Sequence, residues 1–309
     1  MEINDNINDI IEYRYSNKVN KEQIHIGYGI DDDYARCTAT SMISFFLNNE
    51  DKVFNFHVVT NNLSKENKEK FRCMADKYKF NIFIYEIKSE FFSSLPQKDY
   101  WSVAMYFRFI LPILLEKIPK LFYVDADTLC LQRCNGLFDI NLKNNVIGAV
   151  LDVKRVRKKR EQALNLRKNS YFNSGVLVIN IKEWNKLNLL EKTIEIISKE
   201  PKKFKYPDQD ALNFLLNDKV QYINKIFNCI DINLIDEKSI AIMHFANHPK
   251  PWSEMWKINI IYNTFTKDLY TYYEEKTPWK GMPLEKLKNR QILIKSYIKY
   301  ILSKMFKLI

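Results

Sequence analysis

Residues 121–128 read Leu-Phe-Tyr-Val-Asp-Ala-Asp-Thr, an apolar run followed by two aspartates one residue apart. Aromatic and β-branched residues predict a buried strand over 121–124. Asp125 and Asp127 come where this strand ends, and side chains two positions apart along a strand share a face. Both carboxylates can therefore turn toward one cation. Hard oxygen ligands of this kind suit Mg²⁺ or Mn²⁺ sites that substrate phosphates complete, although capping of the next turn also explains the pair.

Strand and helix patterns alternate on both sides of this segment. Such alternation predicts an α/β fold with a mostly parallel central sheet and helices on its faces. Ligands bind at the carboxyl edge of such sheets, and Asp and Ser/Thr residues often follow the predicted strands. The predicted strands are 24–30, 53–59, 82–87, 121–124, 146–150, 176–181 and 240–245, with helices near 34–47, 64–79, 101–116, 182–198 and 208–217.

Composition and charge exclude several classes of protein. The chain has 309 residues, of which 46% are apolar and 28% charged, with 6 glycines and 9 prolines, so collagen-like and low-complexity chains are excluded. Of the net charge of +11, residues 154–160 carry +6 and residues 280–309 carry +7, which leaves −2 on the rest. A near-neutral body with two local basic segments favours an anionic surface or substrate. It does not favour a nucleic-acid partner, whose contacts spread over a face.

Cysteine usage and the N-terminus bear on location. The five cysteines form no Cys-x-x-Cys pair and no zinc-finger spacing, which indicates reduced and mostly buried thiols of a cytosolic protein. The acidic start of the chain lacks the apolar core of a secretory signal. No stretch approaches the ~18 to 20 apolar residues of a membrane span. The sequence therefore predicts a cytosolic protein that can associate with a membrane.

The chain divides into three parts on composition. Residues 1–21 are polar and predict an N-terminal arm, residues 22–252 carry the α/β pattern, and residues 253–309 are rich in aromatic and basic residues. Within the last part, apolar residues recur at spacings of three and four with lysines between them, which predicts a basic amphipathic helix. Such a helix either lies on an anionic membrane or packs its stripe on the body. The stripe is Ile294, Ile298, Ile301, Met305 and Leu308.

Two further segments carry chemistry-bearing side chains. Residues 206–213, Tyr-Pro-Asp-Gln-Asp-Ala-Leu-Asn, open a helix with proline and acids in its first turn. Capping explains Asp208 but requires neither Gln209 nor Asp210. Later in the chain His244 ends an apolar strand and Lys250 follows in a turn. They could complete a cation site and bring positive charge to a phosphate, although a lone histidine there is more often structural.

Together and in this order, these segments resemble glycosyltransferase family 8, the retaining nucleotide-sugar enzymes of the GT-A fold. The likeness is strongest to the branch that extends the outer core of bacterial lipopolysaccharide, and it covers residues 24–252 together with 272–281. The resemblance implies a metal-dependent hexosyltransferase that uses Mn²⁺ or Mg²⁺ and moves glucose or galactose from a UDP-hexose to a saccharide acceptor. It implies a GT-A catalytic domain over 22–252 and an acceptor and membrane-association region over 253–309. It also implies a cytoplasmic enzyme, peripheral on the inner face of the cytoplasmic membrane.

The resemblance also carries residue roles. By its implication Asp31 reads the uracil edge, Asp33 meets the ribose, and Asn247 stands where the family usually has glycine. The implied metal ligands are Asp125, Asp127 and His244, whose convergence on one cation is the central expectation. Gln209 with Asp208 or Asp210 faces the anomeric centre. The implied donor-binding set is Gly29, Asp31, Asp33, Arg108, Asp125, Ala126, Asn173, Asn247 and Lys250.

The acceptor and the course of the reaction are less constrained. Tyr100 and Trp101 suit a sugar ring, although the opening of a core helix explains Trp101 as well, and residues 154–160 either contact core phosphates or form a solvated helix face. Retention can proceed through a covalent intermediate or by front-face attack, and the poor nucleophilicity of the Gln209 amide favours front-face attack. Two other functions fit parts of the pattern. They are a non-catalytic module that binds acidic polymers or membranes, and a nucleotidyltransferase that uses the same metal site.

Overall fold

The structure is a computed structural model that describes residues 3–15, 21–92, 103–261, 264–286 and 290–306. Its strands are β1 (Ile7–Tyr13), β2 (Gln23–Gly29), β3 (Val53–Thr60), β4 (Asn81–Ile87), β5 (Lys120–Val124), β6 (Thr128–Cys130), β7 (Ile147–Leu151), β8 (Phe172–Asn180), β9 (Val220–Tyr222) and β10 (Ile242–His244). Its α-helices are α1 (Ala35–Asn48), α2 (Lys65–Tyr78), α3 (Leu111–Leu114), α4 (Asn135–Phe138), α5 (Lys154–Leu164), α6 (Ile181–Lys186), α7 (Leu189–Lys199), α8 (Pro207–Leu215), α9 (Thr264–Glu274) and α10 (Arg290–Phe306).

The central sheet has the strand order β1-β4-β3-β2-β5-β8-β7-β9. Strands β4, β3, β2 and β5 pair in parallel, as do β7 and β9. Every residue of β3 is buried, including the polar side chains of Asn55 and His57. Parallel sheets are generally covered on both faces in this way. The predicted α/β fold with a mostly parallel sheet is therefore confirmed.

Strand β8 runs antiparallel to both β5 and β7, and this reversal positions the site. The start of β8 lies beside the end of β5, with Val124 opposite Val176. The backbone N–H of Asp125 donates to the carbonyl of Gly175 at 2.8 Å. The residues that follow β5 therefore lie next to Asn173 and Gly175 at the carboxyl end of β5.

A second sheet, of two strands, places His244 next to Asp127. Strand β6 begins one residue after Asp127 and pairs antiparallel with β10, so that His244 lies opposite Thr128. The predicted strand over 240–245 is thus present in shorter form. Residues more than 100 positions apart in the chain are brought together by this pairing.

Several elements differ from the sequence predictions. Strand β1 lies within the predicted arm and forms the edge of the sheet beside β4; its apolar residues Ile7, Ile10, Ile11 and Tyr13 do not alternate with polar ones, so its strand pattern is weak. The helix predicted over 182–198 is interrupted at Asn188, which adopts a left-handed backbone with φ 49°. The helix predicted over 101–116 is a 3₁₀-helix at Val103–Phe109 followed by α3, whose first turn contains Pro112. Proline is tolerated in the first turn of an α-helix, whose N–H groups have no partner within the helix, which agrees with the start of α3 at this position.

Part of the C-terminal region shares the core of the body. Helix α9 packs on α1, where Arg36 and Glu274 form a buried bidentate ion pair, and the rings of Trp252 and Tyr270 lie 4.9 Å apart. The ring of Trp279 contacts that of Phe71, 5.0 Å away. Residues on both sides of the predicted boundary near residue 252 therefore share one hydrophobic core. Within the described ranges, no helix has the length and apolar character needed to span a bilayer.

Candidate active site

Asp125, Asp127 and His244 converge at the carboxyl end of β5. One ligand atom from each lies within 4.8 Å of the others. Nε2 of His244 is 3.2 Å from Oδ1 of Asp127 and 3.7 Å from Oδ2 of Asp125. The convergence expected from the sequence is therefore present. Two carboxylate oxygens and one imidazole nitrogen form a donor set that suits a divalent cation such as Mn²⁺ or Mg²⁺.

Gly175 leaves room for this cluster. A Cβ atom at this position would lie 2.2 Å from Cε1 of His244 and 2.7 Å from Oδ2 of Asp125. Any side chain here would displace the histidine or the aspartate. The absence of a side chain at Gly175 thus supports the fit of the three groups to a shared ion.

Lys250 adds a positive charge to the same cluster. Its Nζ donates to Oδ2 of Asp127 at 2.6 Å and to the carbonyl of Phe245 at 2.5 Å, and the side chain is buried. Burial alone would raise the pKa of Asp127, but the ammonium group of Lys250 beside it holds that pKa well below its usual range. Asp127 is therefore held as a carboxylate.

Arg108 connects the cluster of Asp125, Asp127 and His244 to the first turn of α8. Its Nη2 lies 2.9 Å from Oδ1 of Asp125, and its Nε lies 3.1 Å from Oδ2 of Asp208. Nη1 donates to the carbonyl of Ser174 at 2.7 Å, and the guanidinium stacks over Tyr123 at 4.5 Å. Every side of this buried cation is engaged. Arg108 therefore holds Asp125 and Asp208 in a fixed relation.

The first turn of α8 brings the predicted triplet to the site. Oε1 of Gln209 accepts from the backbone N–H of Ser174 and from Nδ2 of Asn173, each at 3.0 Å. Asp208 is buried beside Arg108, and burial raises its pKa. Asp210 is fully buried and accepts from Arg160 at 2.6 Å and from the Tyr171 hydroxyl at 2.6 Å. Of the two aspartates that flank Gln209, Asp208 is the one that Arg108 links to Asp125.

Two site residues were not found from the sequence. Oδ2 of Asp152 accepts from Nε2 of Gln209 at 2.8 Å, and burial raises its pKa. Oδ1 of Asn228 lies 2.8 Å from Nδ1 of His244. Asp152 follows the predicted strand 146–150 much as Asp125 follows β5, and this signal could have identified it. Asn228 lies between short elements without any motif.

Three other residues predicted to bind the donor follow the ends of β2 and β10. Asp31 follows β2 and is half-buried, Asp33 is exposed, and Asn247 is half-buried. Ala126 is buried between the two aspartates. Sequence analysis predicts that Tyr100 and Trp101 contact the acceptor; both lie outside the described residues.

Gly29 packs closely against the 3₁₀-helix Val103–Phe109. A Cβ atom there would lie 2.8 Å from Cβ of Phe107 and 2.9 Å from the carbonyl of Ala104. The missing side chain admits the 3₁₀-helix that carries Arg108. Close packing of protein against protein therefore requires glycine at this position, and the predicted role of Gly29 in donor binding stays a prediction.

A cavity of about 360 Å³ opens next to Asp152 and Asn228. Three cationic residues line it, Lys154, Arg157 and Lys225, together with apolar side chains of the 222–235 segment. Arg160, from the same basic run as Lys154, is instead buried against Asp210. The residues of the basic run 154–160 therefore have different environments. Lys154 and Arg157 line the cavity, whereas Arg160 is buried in an ion pair.

Comparison with known proteins places the chain among glycosyltransferases. The family model "Glycosyl transferase family 8" matches residues 25–256. Lipopolysaccharide 1,2-glucosyltransferase of Escherichia coli is 31% identical over 284 residues, which cover 86% of this chain and 82% of that protein. Lipopolysaccharide 1,3-galactosyltransferase of Salmonella typhimurium is 30% identical over 264 residues, 80% of this chain and 78% of that protein.

A solved structure shares the architecture. The galactosyltransferase LgtC, crystallised in complex with donor and acceptor sugar analogues, has a TM-score of 0.74 and 24% identity, covering 82% of this chain and 96% of that chain. This likeness concerns the fold. The predicted GT-A type fold is confirmed.

Proposed function

Because this chain belongs to glycosyl transferase family 8 and is a glycosyltransferase, we propose that it transfers a hexose from a UDP-sugar to a saccharide acceptor with retention of configuration. The observation that carries the proposal is the convergence of Asp125, Asp127 and His244 beside Lys250. Glucose and galactose are the proposed donor hexoses. The relatives whose names specify lipopolysaccharide transfer support an acceptor in the lipopolysaccharide outer core.

The donor diphosphate is the proposed ligand of this cluster. Cleavage of a sugar–phosphate bond develops negative charge on the departing nucleoside diphosphate. A divalent cation, Mn²⁺ or Mg²⁺, held by Asp125, Asp127 and His244 would stabilise that charge as a Lewis acid. Lys250 supplies a second positive charge within hydrogen-bond distance of Asp127. Asp31 and Asp33, after β2, are the proposed contacts of the uracil and ribose.

Gln209 and Asp208 are the proposed groups at the anomeric centre. Oxocarbenium character on the sugar is stabilised by electron density on one face. Oε1 of Gln209 is held by two donors, and an amide is a poor nucleophile, which favours front-face attack by the acceptor hydroxyl. Asp210, fully engaged by Arg160 and Tyr171, is proposed to hold α8 in place.

The cavity beside Asp152 is the proposed acceptor site. It adjoins Gln209 through Asp152, and its size and mixed apolar and cationic lining fit a saccharide that carries an anionic group. Tyr100 and Trp101 remain additional predicted acceptor contacts.

Helix α10 is the proposed membrane contact. Six apolar side chains form one stripe along it and are 43% to 57% exposed: Ile294, Tyr297, Ile298, Ile301, Leu302 and Met305. Lys295, Lys299 and Lys304 lie outside this stripe. An exposed apolar stripe flanked by lysines is typical of a helix that lies in the interface of an anionic membrane. We therefore propose a peripheral enzyme on the inner face of the bacterial cytoplasmic membrane.

A donor panel and one substitution test the reaction. We expect UDP-glucose or UDP-galactose with Mn²⁺ to raise the melting temperature of the wild type, and the donor that does so to release UDP when the acceptor is added. Asp127→Ala is expected to lose both effects. Asp76→Ala, at an exposed ion pair, is the matched control and is expected to behave as wild type. Full transfer by Asp127→Ala would overturn the proposed site, and release of pyrophosphate would indicate a nucleotidyltransferase.

Vesicle sedimentation tests the membrane contact. The wild type is expected to bind phosphatidylglycerol vesicles in a salt-sensitive manner, and both Ile298→Glu and removal of residues 284–309 to weaken this binding. Ile260→Glu, at another exposed isoleucine, is the control. Transfer of the hexose to a soluble acceptor should survive the truncation. A non-catalytic binding module would instead lose its binding to anionic vesicles and polymers, which is the only activity it would have. Undiminished binding by Ile298→Glu and by the truncated chain would overturn the assignment to α10.

A further inference from the structure

The two ring nitrogens of His244 face different chemical groups. Nε2 faces the carboxylates of Asp125 and Asp127, and Nδ1 lies 2.8 Å from Oδ1 of Asn228. A neutral imidazole carries its proton on one nitrogen and an acceptor lone pair on the other. Only the tautomer with the proton on Nδ1 leaves a lone pair on Nε2 for a cation. The orientation of the Asn228 amide therefore matters to the cluster.

The hydrogen-bond network settles that orientation. The backbone N–H of Gly175 can only donate, and it meets Oδ1 of Asn173 at 2.9 Å, which identifies that atom as the oxygen. Nδ2 of Asn228 donates to the same oxygen at 2.8 Å. The other end of the Asn228 amide, which faces His244, is therefore its oxygen. An oxygen there accepts a proton from Nδ1.

A second backbone donor fixes the opposite end of the network. The N–H of Ser174 donates to Oε1 of Gln209, and Nδ2 of Asn173 donates to the same oxygen. Nε2 of Gln209 then donates to Asp152, whose carboxylate only accepts when ionised. Rotation of any one amide would place like groups in contact at both of its ends. The chain of amides from Gln209 to His244 has one consistent arrangement.

From this network we infer that Asn228 is a positioning residue, which keeps the proton of His244 on Nδ1 and so presents the Nε2 lone pair to the cation. The inference rests on the proposed metal site. Without Asn228, the proton would find its acceptor on the other side of the ring, at Oδ1 of Asp127, 3.2 Å from Nε2. Nε2 would then be a donor and could not ligate. Outer partners of ligating histidines generally change metal affinity by about 10- to 100-fold when removed.

Nitrogen-15 NMR of the full chain labelled at histidine tests the tautomer directly. The chain has 4 histidines, and His244→Gln assigns the signal of interest. In wild type we expect Nδ1 of His244 to show the shift of a protonated nitrogen, both without metal and with diamagnetic Mg²⁺. In Asn228→Leu we expect Nδ1 to move to the shift of an unprotonated nitrogen. This readout does not depend on transfer activity.

Metal affinity and a conservative variant complete the test. Mn²⁺ binding, followed by electron paramagnetic resonance, is expected to weaken at least about tenfold in Asn228→Leu. It is expected to recover in part in Asn228→Asp, which keeps an acceptor at Nδ1 but loses the donor to Oδ1 of Asn173. Asn49→Leu is the control for loss of a buried amide, since Asn49 is buried with its partners Phe45 and Cys134 in the core. It should lose stability without losing Mn²⁺ affinity.

The outcomes separate the two proposals. An Nδ1 of His244 that stays protonated in Asn228→Leu, with Mn²⁺ affinity unchanged, would overturn the role of Asn228 while leaving the metal site intact. A wild type that binds no Mn²⁺ or Mg²⁺ would overturn the proposed metal site itself.

Discussion

Arg160 and Asp210 form a buried ion pair, with Nη2 2.6 Å from Oδ2 and the aspartate side chain fully inaccessible to solvent. The same carboxylate accepts from the Tyr171 hydroxyl, which in turn accepts from Gln209. Removal of one partner leaves a buried charge without compensation. We therefore predict that Arg160→Met lowers the free energy of unfolding by about 3 to 5 kcal/mol and lowers kcat, because Gln209 loses its support.

A second arginine–aspartate pair provides the control. Arg167 and Asp218 are also 2.6 Å apart, but their side chains are 63% and 75% exposed. Exposed pairs contribute about 0 to 1 kcal/mol, so Arg167→Met should be close to wild type in a urea titration. Equal effects of the two substitutions would show that burial of the Arg160 pair is not what stabilises α8.

Gly175 gives a prediction for the cation cluster. A methyl group at this position would lie 2.2 Å from His244, so Gly175→Ala must move the ring or the strand. We predict a loss of Mn²⁺ affinity of at least about tenfold, measured by calorimetry on the purified protein. Gly136→Ala, where the nearest atom is 3.3 Å away on Phe227, should bind Mn²⁺ as wild type does. Unchanged affinity in Gly175→Ala would contradict the fit of these three ligands to one ion.

Asp152 gives a prediction for pH dependence. Burial raises the pKa of Asp152 in the folded state above that of the unfolded chain, near 3.9. The folded state then binds more protons than the unfolded state over that range, so this group makes the protein less stable as pH rises through the raised pKa. The melting temperature of Asp152→Asn relative to wild type should therefore increase between pH 4 and pH 7. Thermal denaturation at several pH values measures it, and a flat difference would contradict the raised pKa.

Asp127 should behave in the opposite way. Its pKa is held well below the usual range, so its ionisation stabilises the fold above the unfolded pKa and that contribution is lost as pH falls through the lowered value. We predict that the difference in unfolding free energy between wild type and Asp127→Asn narrows only below about pH 4. Acid denaturation of both proteins measures this difference. Narrowing already near neutral pH would show that Asp127 is not held as a carboxylate by Lys250.

The long elements and the strand-end acids could be predicted from the sequence. The buried parallel strands have short apolar runs that are typical of such strands. Asp125 and Asp127 directly follow one of these runs. The apolar residues of the edge strand β1 do not alternate with polar ones, and the three-residue strands β6 and β9 are too short to show a pattern. Their pairing depends on contacts distant in the chain. The break at Asn188 depends on one residue with positive φ, which no hydrophobic period reveals.

Local sequence also could not tell which polar side chains face the site. Asp208 and Asp210 are equivalent in the pattern of α8, but a partner on α5 buries Asp210. Arg160 belongs to a strongly basic run and is nevertheless in the interior. Asn228 has no motif, and its importance comes entirely from the side chains around it. Such assignments depend on tertiary neighbours.

The pairing of β6 with β10 has a consequence for the order of assembly during synthesis. Both aspartates leave the ribosome more than 100 residues before the histidine does, and His244 reaches them only when β10 adds to the short strand beyond Asp127. A nascent chain that has already formed β2 to β5 therefore offers a cation two weak ligands rather than a complete site. At the proposed metal site, binding of one cation by all three ligands therefore requires that β10 has already paired with β6.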